Sequence, residues 1–328
     1  MHSHKSFLAF ILSTYQILKH DSEQVFLIPN PLNHVFGLNR VLSSLYTKCT
    51  AVLMNGFIIP GLYFQAIIKY NVTVLILVSA VTEMYLSAFK DKLMEISNHI
   101  NIIHLGASVF TETQINALRD VFPKSRILQT YASTEIIGLF CEHSTYKYKP
   151  QCIGMPCPGS KISFFDLQKE HNIETNQENP GLIAISSDSK CLGYWKNPEL
   201  TASITKGEYF ILSDLGYKGD DGFYYFLSRA DDIINSGGLK IAPLEIEEAA
   251  NSFDAILESA CVAVNDTIMG EVPKLYVVIK EDFTFNHMEI TNYLKTKLEI
   301  TRIPRIIEEI DEIPKINNKI NRKELKNK

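Results

Sequence analysis

Short apolar runs recur from Val25 to Leu128 at a spacing that leaves few folds open. Val25-Phe26-Leu27-Ile28, Ala51–Met54, Val72–Val78, Ile102–Leu105 and Ile127-Leu128 are each too short for a helix, and each is separated from the next by a segment long enough to be one. Strands alternating with helices predict a parallel, doubly wound sheet. Residues 6–19 read as a helix ahead of the first strand. Thr111 opens another, with Gln114 completing a capping box and Leu118 and Phe122 on one face. Ligands of such sheets collect beyond the carboxyl ends of the strands. That rule selects Gly106-Ala107-Ser108 and Tyr131-Ala132-Ser133-Thr134-Glu135.

The pattern changes after about residue 145, where prolines and glycines lead into short runs such as Lys161–Phe165 and Gly181–Ile185. The expected fold class is α/β. A partial doubly wound core over 1–145 is followed by a small β-barrel-like subdomain over 146–230 and a compact α+β lid over 231–328. In the lid, Leu244–Ser252 and Glu289–Lys297 read as helices, and Ala260–Val264 and Lys274–Ile279 as strands. The densest stretch, Ser213 to Glu247, is a turn-rich junction. Asp214 ends an apolar run there, Arg229 stands beside Asp231 and Asp232, and Ser236-Gly237-Gly238 lets backbone approach a ligand closely. As plain structure it is a surface turn with a solvated charge run. Trp195 reads as packing, and the lysine-rich end from Lys315 as a frayed tail.

At 328 residues the chain exceeds one ordinary core, and its 46% hydrophobic and 21% charged residues are those of a globular protein. A net charge of −5 gives no general attraction for nucleic acid or anionic membrane. The six cysteines form no CxxC pair and read as reduced thiols of a cytoplasmic protein. No apolar run approaches about 18 residues, so no membrane span is expected. The Phe7–Leu12 run lacks a cleavage pattern and reads as a buried helix instead of a leader. No GxGxxG occurs, which argues against a dinucleotide-dependent dehydrogenase.

Six ordered segments together resemble the adenylate-forming superfamily of AMP-forming acyl-CoA synthetases, luciferases and adenylation domains. Gly106-Ala107-Ser108 resembles its adenine-binding G-A-A/S, and Tyr131–Glu135 its Y-G-x-T-E with Ala132 for glycine. Gly193-Tyr194-Trp195-Lys196-Asn197-Pro198-Glu199-Leu200-Thr201 is close to G-Y-x-N-x-P-E-x-T. Ser213-Asp214-Leu215-Gly216 resembles G-D-L-G, Ser228–Asp232 G-R-x-D-D, and Asn317–Arg322 N-G-K-x-D-R.

The resemblance implies a two-step ligase that joins a carboxylate to the α-phosphate of ATP and then passes the acyl group to the thiol of CoA. It implies Lys319, Thr134 and Glu135 as catalytic, with Glu135 holding Mg²⁺, a hard cation suited to carboxylate oxygen. Gly106, Ala107, Ser108, Tyr131, Ser133, Thr134, Asp214 and Arg229 would bind nucleotide. His34 would gate the acyl group, Asp231 would be the lid's hinge, and Gly237 and Gly238 would line the thiol side. Without the resemblance, Thr134 and Glu135 read as a helix N-terminus with Glu135 complementing its dipole, and His34 as a turn cap or a core residue.

The chain begins at Met1-His2-Ser3-His4, inside the family segment resembling G-V-M-x-x-H, so the earlier phosphate loop is expected to be missing. Little ATP–pyrophosphate exchange is expected from the chain alone, with a separate N-terminal fragment as a partner that would restore it. Two other readings stay open: an enzyme loading carrier-protein pantetheine, and a non-catalytic nucleotide-binding remnant. The residues around His34, Phe36 and Gly106 do not spell out the acyl substrate.

Overall fold

The computed structural model describes every residue except Ile58, Ala107, Ser108, Val109, Thr145, Tyr146, Asn317, Asn318 and Lys328, and describes Lys319 by its backbone alone. The alternation seen in the sequence becomes α1 (His4–Leu18), β1 (Val25–Ile28), α2 (Val35–Thr47), β2 (Thr50–Leu53), α3 (Pro60–Lys69), β3 (Val74–Leu77), α4 (Ser79–Ala88), α5 (Lys90–Ile96), β4 (Ile102–Leu105), α6 (Glu112–Val121) and β5 (Arg126–Ala132). The five strands run parallel in the order β2-β1-β3-β4-β5. Thr111 caps α6 through the reciprocal box with Gln114.

Central parallel strands are covered on both faces and therefore apolar at nearly every position; β3 and β4 are buried throughout. Alternate side chains point to opposite faces. Leu75, Leu77, Ile103 and Leu105 pack with Tyr63, Tyr85 and Ile115 on one side. Val74, Ile76, Ile102 and Leu128 pack with Phe10, Ile17 and Phe36 on the other. Each such Leu or Ile contributes about 1.5–3 kcal/mol by leaving water. His104 shares the face of Ile102, the side covered by α1 and α2.

The parallel pattern stops at β5. It is followed by β6 (Ile137–Glu142), β7 (Cys152–Pro156), β8 (Lys161–Phe165), β9 (Gly181–Ser186), α7 (Pro198–Ser203), β10 (Thr205–Lys206), β11 (Tyr209–Lys218) and β12 (Tyr224–Arg229). β6 turns back antiparallel on β5, and β7 on β6. The same sheet continues β7-β12-β11-β9-β8, with β10 on β11, so the β-rich stretch is hydrogen-bonded onto the α/β core.

The chain divides into two compact units, residues 1–212 with 217–226, and residues 213–216 with 227–328. The second adds β13 (Ile234–Ser236), β14 (Leu239–Ile241), α8 (Pro243–Asn251), β15 (Ile256–Asp266), β16 (Gly270–Ile279), α9 (His287–Lys297), β17 (Ile306–Glu309), β18 (Lys315–Ile316), β19 (Lys319–Ile320) and α10 (Arg322–Leu325). Its sheet order is β14-β13-β16-β15, with β17 parallel to β16. Ile246, Ala250, Ile290 and Leu294 of α8 and α9 pack on one side; Ile313 and Leu325 pack against Tyr276 on the other. The lysine-rich end is therefore structured, because fully buried Leu325 anchors it and its carbonyl accepts the Tyr276 hydroxyl at 3.1 Å. All six cysteines are free thiols. Among the described residues no helix is long and apolar enough to cross a membrane.

Candidate active site

In the first unit the parallel register aligns the strand ends, pairing Leu77 with Leu105 and Leu105 with Gln129. Gly106 leaves β4 at that line, its N–H donating to the Leu77 carbonyl at 3.3 Å. A Cβ there would lie 2.7 Å from Cζ of Phe36, so any larger residue would require the ring to shift. Ala107 and Ser108, the rest of the expected adenine segment, lie outside the described residues. Tyr131, near the end of β5, is half-buried with its ring 6.5 Å from that of Phe226.

Thr134 and Glu135 do not start a helix, as their plain reading had it. They form the connection between antiparallel β5 and β6, because Ile137 continues a buried strand that pairs back onto Ala132. The Ser133 N–H donates to the Ile136 carbonyl at 2.9 Å, and the Glu135 N–H to the Ser133 hydroxyl at 3.2 Å, which closes a tight turn. The Thr134 side chain is exposed, and its carbonyl lies 2.7 Å from Nε2 of His2. The Glu135 carboxylate accepts the Tyr194 hydroxyl at 2.7 Å, and its carbonyl accepts the Cys191 N–H at 2.8 Å. Burial, then the bond to Glu135, pushes the Tyr194 phenol up, so it stays a neutral donor. Tyr194 was visible in the quoted Gly193–Thr201 segment, yet its role was missed because no spacing rule links it to a residue 59 positions away. Trp195, read as packing, is instead 72% exposed, since it projects from the turn before α7.

His34 is the N-cap of α2, its Nδ1 accepting the Phe36 N–H at 3.2 Å, and it is exposed at the loop that follows β1. The capping reading is thus seen directly. Phe36, two residues on, reaches the Gly106 turn.

In the second unit Asp214 and Arg229 come together, with Nε 3.8 Å from Oδ1. Arg229 is 58% exposed, so this ion pair contributes only about 0–1 kcal/mol and leaves the guanidinium ready to be shared. Asp231 is exposed in the single turn Ala230–Asp232. Gly237 and Gly238 connect β13 to β14 with φ of 56° and 88°, the positive pair that a two-residue hairpin turn demands. Lys319 begins β19, which pairs antiparallel with β18, and the Asn321 N–H bonds the Pro314 carbonyl at 2.8 Å behind it. Sequence reading missed the group beneath this hairpin. Arg322 bonds the buried Glu247 carboxylate through both terminal nitrogens, 3.0 Å at Nη2, and Asp232 at 3.4 Å. Among the described residues no cluster of three His, Cys, Asp or Glu groups suits a metal ion.

The model of the AMP-binding enzyme family matches residues 1–195, and that of the AMP-binding enzyme C-terminal domain matches residues 245–319. Among curated relatives, the mitochondrial acyl-coenzyme A synthetase ACSM3 of Pongo abelii is 33% identical over 62% of this chain and 36% of its own length. The oxalate–CoA ligase of Saccharomyces cerevisiae is 29% identical over 93% of this chain and 55% of its own. The long-chain-fatty-acid–CoA ligase of Escherichia coli O157:H7 is 27% identical over 99% and 58%. The chain thus spans from about a third to under two thirds of these relatives. ATP-bound MatB from Rhodopseudomonas palustris has the same fold, with a TM-score of 0.90 at 21% identity over 100% of this chain and 64% of its own. Strand-end geometry, the Thr134–Glu135 turn and these matches lead to one conclusion: the chain belongs to the AMP-binding enzyme family.

Proposed function

We propose that this chain carries the acyl-adenylate machinery of an AMP-forming acid–thiol ligase of the acyl-CoA synthetase type. The observation that carries the reading is the convergence, at one edge of the first sheet, of the Gly106 turn, Tyr131 and the Thr134–Glu135 connection, with Glu135 braced by Tyr194. A carboxylate oxygen attacks the α-phosphorus of ATP, the bond to pyrophosphate breaks, and an acyl-AMP forms. The CoA thiol then attacks the acyl carbon, the carbon–oxygen bond to AMP breaks, and the thiol proton is released.

Each group has a part set by its chemistry. Tyr131 lies against the adenine and Gly106 allows backbone approach to it, with Ala107, Ser108 and Ser133 alongside. Asp214 accepts the ribose hydroxyls and Arg229 assists. The exposed Thr134 hydroxyl donates to a phosphate oxygen, where charge accumulates during in-line transfer. Glu135, a half-buried carboxylate at the β5–β6 turn, would hold Mg²⁺, a hard cation suited to carboxylate oxygen, and the ion would supply neutralisation of phosphate charge. Lys319 bridges carboxylate and phosphate. Rotation of the 231–328 lid about Asp231 then offers Gly237 and Gly238 to pantetheine, and His34 gates the acyl entrance. The reading implies a cytoplasmic enzyme.

The test separates the two half-reactions. With an N-terminal fragment carrying the phosphate loop supplied, and across a panel of carboxylic acids, Lys319→Ala should lower acyl-AMP formation by about 10²–10³-fold. Thioester formation from supplied acyl-AMP and CoA should stay within about threefold. Equal losses in both would remove Lys319 from its assigned place, and absence of both half-reactions even with that fragment supplied would overturn the reading.

A further inference from the structure

One cation in the first unit stands apart from the proposed chemistry. Arg40 lies on α2 one turn beyond Phe36 and is 1% exposed, the largest fully buried side chain of the protein. Its Nε and Nη1 are buried without a hydrogen-bond partner, and among the described residues no carboxylate comes within ion-pair reach. The nearest compensation is the Phe36 ring, whose centroid is 5.2 Å from Cζ of Arg40. A ring face returns only part of what a guanidinium loses on leaving water.

The neighbours make the gap more specific. Phe36 meets the guanidinium with its face and presses its outer edge against Gly106, where a Cβ would require the ring to shift. It also packs edge-on against His104 at 5.3 Å. His104 bonds Thr130 at 3.0 Å through Nε2, while its Nδ1 is buried without a partner. Burial and then the Arg40 charge hold His104 well below the usual imidazole range, so it is neutral and offers no counter-charge. Nδ1 of His20, a second histidine whose titration Arg40 depresses, is likewise unpartnered. A buried positive charge therefore sits one ring behind the turn assigned to the adenylate, with unmet donors and, among the described residues, no carboxylate to pair with.

We propose that Arg40 is a specificity-determining residue: the acyl group carries a second anionic group, a carboxylate at its far end, which enters past His34, displaces the Phe36 ring and pairs with the Arg40 guanidinium. The inference rests on the proposed acyl-adenylate site and names the substrate class for it, a dicarboxylic acid in place of a simple fatty acid. His104 and His20 supply neutral polar walls.

The experiment uses matched pairs of N-acyl sulfamoyl adenosines on the full chain, succinyl against butanoyl, glutaryl against pentanoyl and adipoyl against hexanoyl, with AMP as the control. Calorimetry should show the carboxylate-ended member of at least one pair binding about 10- to 100-fold tighter, the range for hydrogen bonds to a charged group. Arg40→Met should abolish that preference while AMP binding is kept, and Arg40→Lys should keep part of it. If AMP binds and the parent chain takes the methyl-ended analogues equally well or better in every pair, the substrate assignment falls and the nucleotide site stands. If neither AMP nor any analogue binds, the adenylate reading fails and takes this inference with it. The comparison within the parent chain does not depend on how the variants fold.

Discussion

Arg40 of the first unit is 1% exposed and Arg322 of the second has 17% of its side chain exposed, and the two are treated in opposite ways. In the second unit Arg322 bridges α10 to α8 through both oxygens of Glu247, reaches Asp232, and donates to the Cys261 carbonyl at 2.8 Å. Burial pulls its guanidinium down, but the Glu247 and Asp232 charges outweigh it and the net direction is up. In the first unit Arg40 has a ring and two neutral histidines around it, and burial alone lowers it to about 9. A saturated cation is a structural clamp. An unsaturated one in a more closed core marks where the fold tolerates a loss of stability that a ligand can return.

The largest expected effect breaks this contrast if it fails. Arg322→Met leaves the Glu247 carboxylate, 3% exposed, buried without its cation and should cost about 3–5 kcal/mol. Arg40→Met removes an unpaired cation and should leave stability unchanged or raised. Denaturant unfolding followed by hydrogen exchange, read separately over the two units, checks both; comparable losses at the two sites would erase the distinction. Next in size is acid. Burial holds His20 and His143 at about 4, below the ordinary imidazole value. The stability they contribute is fully present above pH 6.5 and is lost as pH falls through 4, on the order of 1–3 kcal/mol in sum. The drop should be confined to the first unit, whose exchange protection at pH 4.5 and 7 reports it. It should shrink in Arg40→Met, because the guanidinium also opposes His20 protonation. Smallest is Gly237→Ala, which forces a side chain to φ 56° and a Cβ to 2.3 Å from Cε of Met269. About 1–2 kcal/mol should be lost, in the second unit only. A loss larger than that of Arg322→Met would mean that the β13–β14 hairpin supports that unit more than the Arg322 clamp does.

Local signals were legible where the chemistry itself is local. The capping box at Thr111 and Gln114, the strands Val25–Ile28 and Ile102–Leu105, and the order of the site segments could all be read from adjacent residues. Long-range pairing was not. Nothing near Thr134 announces that Ile137 turns back on β5, so a helix start was an equally sound reading of that dipeptide. The bond from Tyr194 to Glu135 spans a whole subdomain. Arg40 escaped because arginine is ordinarily exposed. The helical spacing that puts it four residues after Phe36, on the same buried face, was nonetheless available.

The Thr134–Glu135 turn is held at both ends by other segments, His2 beneath the Thr134 carbonyl and residues 191–194 around Glu135. Its geometry is therefore not portable. Transplanting residues 131–135 into another sheet would carry the hydroxyl and the carboxylate but not the struts that aim them, whereas a conservative change at Tyr194 would re-aim Glu135 without touching a nucleotide. Selection acting on this turn must be felt as a correlated constraint on three stretches of chain that lie far apart in sequence.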